Sequence, residues 1–216
     1  MRHKTFCLLT VLLPFIVITW ALAPATKAEA AQEPPAQVGE PESQFQKAHE
    51  SFLKKDFKTA ASEIRKGAAL LETEAAHATE DGKKVLMASV HELEKLADDV
   101  EKGTVTSAKD LKDAFARAYQ SLANNYYLKA SEDWAKKEAK DTGQALKSAA
   151  AYLEQAVTWS GHKMEAGAAE VIKGAHVVAG KLIKGAGWGA EEVSKGVKDI
   201  GREIAKLGKA IETKKK

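Results

Sequence analysis

The sequence predicts an all-α protein: a helical bundle of antiparallel helices ending in a long, Gly-interrupted amphipathic C-terminal helix. Three observations carry this. Alanine and lysine dominate while aromatic residues make up only 6% of the chain, a composition that favours helix over sheet. Apolar residues recur at spacings of four and three almost throughout. No alternating run long enough for a strand interrupts them. With 44% hydrophobic and 29% charged residues, the chain has the composition of a packed bundle, not of a disordered segment.

Residues 1–30 read as an export signal. Arg2, His3 and Lys4 open the chain, an apolar run follows from Phe6 to Ala23, and Ala28-Glu29-Ala30 supplies the small residues a signal peptidase accepts. Cleavage after Ala30 would place the protein outside the cytoplasm, in the periplasm. The competing reading is an inner-membrane anchor through residues 6–23, since about 20 apolar residues span a bilayer. Cys7, the single cysteine, lies inside this segment. Its removal would leave a chain held by helix packing alone, without disulfides or thiolate chemistry. Residues 31–42, with Pro34, Pro35 and Pro41, read as an extended tether.

Residues 43–159 are expected to form the bundle. Phe57, Ala61, Ile64, Ala68, Leu71 and Ala75 make one stripe, and Leu86, Val90, Leu93, Ala97 and Val100 a second. Glu80-Asp81-Gly82 between them reads as the turn of an antiparallel hairpin. Gly103-Thr104 ends the second stripe, and Ser107 with Asp110 three residues on reads as the cap of the next helix. That helix carries Leu111, Phe115, Ala118 and Leu122, then Tyr126, Tyr127 and Trp134. Helical spacing assigns these aromatics to packing in preference to a ligand groove. Asp141-Thr142-Gly143 suggests a break, after which Leu146, Ala150, Leu153 and Val157 open a stripe whose phase continues through Gly161 and Met164 to Leu182.

The stretch from Ser43 to Leu71 resembles a single tetratricopeptide-type helix pair. Ala48 and Phe52 lie on the first helix, Asp56-Phe57 at the turn, and Ala60, Ile64 and Gly67 on the second. The family's tryptophan, leucine and tyrosine positions hold Gln44, Lys47 and Ser51, and no second copy follows at the family period. The resemblance implies protein or peptide binding without catalysis.

Residues 160–216 read as a basic amphipathic helix, with 12 lysines and arginines against 7 acidic residues. Gly185, Gly187 and Gly189 around Trp188 mark a hinge. Beyond it Val193, Val197, Ile200, Ile204, Leu207 and Ile211 form an unbroken four-three series of coiled-coil type. This face, with Trp188, is expected to meet the bundle, a protein partner or a second copy. Its alternative partner is an anionic membrane surface. Charge balance argues against nucleic acid: the net charge of the whole chain is +3.

The catalytic motifs that loops carry are absent from the sequence: there is no phosphate-binding glycine loop, nucleophile elbow or His-Glu-x-x-His. No catalytic residue and no cofactor is expected. Glu74 and His77 have the Glu-x-x-His spacing of carboxylate-bridged metal bundles, and His91 and Glu94 lie on the facing helix of the expected hairpin. That quartet is the one metal-binding candidate, weighed against ordinary solvated charge because its ligand count falls short. The leading expectation is an exported, non-catalytic binding or structural protein of the bacterial envelope, acting through protein–protein contact or self-association. Membrane-surface binding is the alternative, and a metal-binding bundle the second alternative.

Overall fold

Proline at 41 gives way directly to helix, and from there the chain runs through seven helices with no strand among the described residues. The computed structural model describes residues 41–161 and 166–212, all within the unit Ala36–Lys216. The expected signal, anchor and cleavage site, Lys214–Lys216, and most of the tether lie outside the described residues. The helices are α1 (Glu42–Leu53), α2 (Phe57–Ala76), α3 (Glu80–Glu101), α4 (Ala108–Ala135), α5 (Ala139–Ser160), α6 (Ala166–Lys184) and α7 (Ala190–Glu212). Consecutive helices pack antiparallel, as short connections require.

Lys54-Lys55-Asp56 joins α1 to α2, with Lys55 in the left-handed region at φ 61°. Asp56 caps α2 by accepting from the Thr59 N–H at 3.1 Å, so Phe57 is the first residue of that helix and not part of the turn. Ala48, Phe52, Ala60, Ile64 and Gly67 are all buried. The close approach of α1 depends on Gly67. A Cβ there would stand 2.3 Å from the Phe45 ring, which stacks on Phe115 of α4 with centroids 4.3 Å apart.

The α2–α3 hairpin forms from the two stripes as expected, with Ile64, Leu71, Leu86, Val90 and Leu93 buried. Its turn, however, is His77-Ala78-Thr79. Glu80-Asp81-Gly82 is instead the first turn of α3, capped by Thr79, whose Oγ1 accepts from the Gly82 N–H at 3.2 Å. Acidic side chains suit both a turn and the positive end of a helix, which is why the local signal misplaced the boundary. Arg65 ties the two helices from outside, donating to Asp98 and Glu101 at 2.7 Å each. Gly103, at φ 70°, ends α3, and Thr104 N–H returns to Asp99 O at 3.0 Å, closing the orphan carbonyls. Ser107 caps α4 as expected, its Oγ accepting from the Lys109 N–H at 3.1 Å while the Asp110 N–H donates to the Ser107 carbonyl at 3.1 Å.

Two further boundaries differ from the expectation. The α4–α5 break falls at Lys136-Lys137-Glu138, with Lys137 at φ 64°, and Asp141-Thr142-Gly143 lies inside the first turns of α5. Gly143 is there for packing: a Cβ would meet Leu182 Cβ at 2.8 Å and the Ala179 carbonyl at 2.9 Å. The stripe whose phase continues through Gly161 is folded back, since Gly161 ends α5 at φ 64° and α6 returns along it. The expected interruption of the C-terminal segment falls at its glycines, between α6 and α7. Gly185 and Gly187, at φ 72° and 77°, turn the chain so that α7 packs on α4, α6 and α5.

Candidate functional site

A line of carboxylate, phenol and indole contacts runs across α1, α2, α4 and α5. Tyr119 and Tyr126 are seven residues apart on α4, so they share a face about 10.5 Å along the axis. Tyr119 donates its hydroxyl to the Glu42 carboxylate of α1 at 2.7 Å, and the Trp159 indole N–H of α5 approaches the same oxygen at 3.5 Å. Tyr126 donates to the Glu74 carboxylate of α2 at 2.9 Å. Tyr152 of α5 sits between the two, its ring 6.2 Å from Tyr119 and 5.5 Å from Tyr126. His49 meets the Trp159 ring edge to face at 6.0 Å.

Burial sets the protonation chemistry of this line. Desolvation holds the half-buried Glu74 carboxyl above the usual range, against the opposing pull of the Tyr126 hydrogen bond and the His77 charge. Burial, and next the Glu74 charge, push the Tyr126 phenol up, so it stays a donor. Burial and the neighbouring Lys112 charge hold His49 below its ordinary value, with Glu50 opposing. Such an arrangement makes Glu74 easier to protonate than a free carboxyl and fixes helix spacing through phenol–carboxylate hydrogen bonds.

The candidate metal quartet does not form one cluster. The Glu74 carboxylate goes to Tyr126, while His77 is the exposed C-cap of α2. His91 and Glu94 pair with each other at 3.5 Å on the outer face of α3. Among the described residues no group of three or more His, Cys, Asp or Glu side chains is placed to hold a metal ion.

The C-terminal face is covered by its own chain. Val193, Val197, Ile200, Ile204, Leu207 and Ile211 are each less than a tenth exposed. The Tyr127 ring lies over Gly201, where a Cβ would come within 2.5 Å of it. Trp188, 36% exposed, meets Trp134 edge to face at 5.7 Å, and Trp134 donates to Ser194 Oγ at 3.1 Å. Thus Tyr126, Tyr127 and Trp134 all serve helix contacts. No helix among the described residues is long and apolar enough to cross a membrane.

The Glu42–Tyr119 and Glu74–Tyr126 pairs have no local sequence signal, because their members are 77 and 52 residues apart. No family model, curated protein or solved structure matches the chain.

Proposed function

We propose that this is an exported, non-catalytic binding or structural protein of the bacterial envelope, working through protein–protein contact or self-association. The observation that supports this reading is where apolar surface remains after the bundle has closed. The C-terminal seam is taken up inside the chain, whereas Leu53 at the end of α1, Val177 in the middle of the outer face of α6 and Trp188 between α6 and α7 stay exposed. The carboxylates and phenols that could serve chemistry are engaged in holding helices together. A single tetratricopeptide-like helix pair at residues 43–71 fits the same reading. The membrane-surface alternative would require α7 to leave its seam and expose six buried aliphatic side chains to reach lipid.

Sedimentation velocity of the purified protein over a dilution series, with chemical cross-linking in the intact producing cell, tests the proposal. A concentration-dependent oligomer or a defined cross-linked complex is expected. A monomer at every concentration, with no cross-linked partner in the cell, would overturn it.

A further inference from the structure

Helix α6 lies at the margin of the bundle, packed on α5 and α7. Its inner arc, Ile172, Ala175, Val178, Ala179 and Leu182, is buried. At 100° per residue the opposite arc is centred on Val177, which is 50% exposed, with exposed Glu170, Lys173, Gly174 and Lys184 around it. Nothing lies within 4 Å of a Cβ built on Gly174 or Gly180. These glycines weaken the helix without the close neighbour that accounts for Gly67, Gly143 and Gly201.

The outermost charges on this arc, one acidic and one basic, are complementary to each other under reversal. Glu170 precedes Val177 by seven residues and Lys184 follows it by seven, and neither has an ion pair among the described residues. Gly174 and Gly180 stand three residues to either side. We infer that the outer face of α6 is the contact surface for a second copy of this chain, packed antiparallel about a two-fold axis at Val177. This rests on the self-association reading above and names its partner and surface.

Reversal about Val177 brings Glu170 level with Lys184 of the second copy, and symmetry repeats that pair. Gly174 comes level with the other copy's Gly180, so no side chain from either position crowds the two valines. Lys173 comes level with Lys181, whose charge is already met by Glu192 at 2.6 Å, and His176 is turned aside to Glu154 at 3.7 Å. A parallel arrangement would set Glu170 beside Glu170, so the charges select the antiparallel one. A face of 19 residues is about 28 Å long. With a helix about 10 Å wide, such a face covers about 280 Å², below the roughly 800 Å² per partner of a standard interface, so the dimer should be a weak, concentration-dependent one.

The test uses the full-length chain with Cys7→Ser, so that an added thiol is the only one. A residue on a two-fold axis faces itself. Val177→Cys should therefore give a covalent dimer with a short bis-maleimide, and Leu53→Cys, which is 61% exposed, should not. Glu170→Lys and Lys184→Glu should each weaken the dimer roughly tenfold, since symmetry doubles each unfavourable pair. The double exchange should restore it, which misfolding would not do. An oligomer indifferent to both exchanges would overturn the α6 assignment while leaving self-association standing. A monomer with no Val177→Cys dimer would overturn it too, and co-purification of another protein or flotation with lipid vesicles would then identify a different occupant.

Discussion

The hydroxyl of Tyr126 on α4 donates to the Glu74 carboxylate on α2 at 2.9 Å, across 52 residues of sequence. The bond favours the charged carboxylate, yet burial outweighs it and holds the Glu74 carboxyl above its ordinary value of 4.5. Folding therefore tightens proton binding at this site. The resulting stabilisation is fully present below the ordinary value and is lost as pH rises through the raised one. Glu74→Gln keeps an acceptor for Tyr126 without the buried charge. Its stability relative to the parent should be greater at pH 8 than at pH 4, measured by urea unfolding at both. A pH-independent difference would show that desolvation does not govern Glu74.

Ser89 on α3 and Ser121 on α4 form a second cross-helix bond, Oγ to Oγ at 2.6 Å, with both residues buried. Ser121→Ala orphans the Ser89 hydroxyl, at a cost of about 1 kcal/mol, near the low end because a helical serine can turn to the carbonyl four residues back. Ser89→Ala with Ser121→Ala removes both partners, so the double variant should lose less than the two single losses added. Strict additivity in denaturant midpoints would mean the hydroxyls do not interact.

Two helical glycines with opposite surroundings give a paired prediction. Gly143→Ala drives a Cβ to 2.9 Å from the Ala179 carbonyl, a backbone atom that cannot rotate aside, so the loss should be about 1–3 kcal/mol. Gly174→Ala meets open space and should gain up to about 1 kcal/mol in the monomer, while weakening any dimer that uses α6. Thermal midpoints of dilute protein should move in opposite directions. If both fall, the outer face of α6 is not open.

These contrasts also explain what could be read in advance. The stripes Phe57–Ala75, Leu86–Val100 and Val193–Ile211 were legible because a helix buried on one side must repeat its apolar residues every three or four positions. Boundaries were less so. Glu80-Asp81-Gly82 and Asp141-Thr142-Gly143 carry the residues of turns, but serve as helix starts where carboxylates meet the dipole and glycine admits a neighbour. The true breaks before Asp56 and Glu138 use Lys55 and Lys137 at positive φ, a conformation that lysine does not advertise. The Glu42 and Glu74 pairs depend on which helices become neighbours, and no local pattern carries that.

Ile204 tests the cover of α7 directly. It is 2% exposed within the seam formed with the rest of the bundle, so Ile204→Asp places a carboxylate where water is excluded. The expected loss exceeds about 3 kcal/mol, with a change in tryptophan fluorescence as the Trp134–Trp188 contact opens. Lys198→Glu, on the exposed side of the same helix, should change stability by no more than about 0.5 kcal/mol. A membrane-bound α7 would invert this ranking. Lys198→Glu would then abolish flotation with anionic vesicles in a salt-sensitive way, while Ile204→Asp would leave residues 43–159 folded as before. Stability therefore decides the matter: a full-length Ile204→Asp chain as resistant to urea as the parent would show that the seam is not what holds α7.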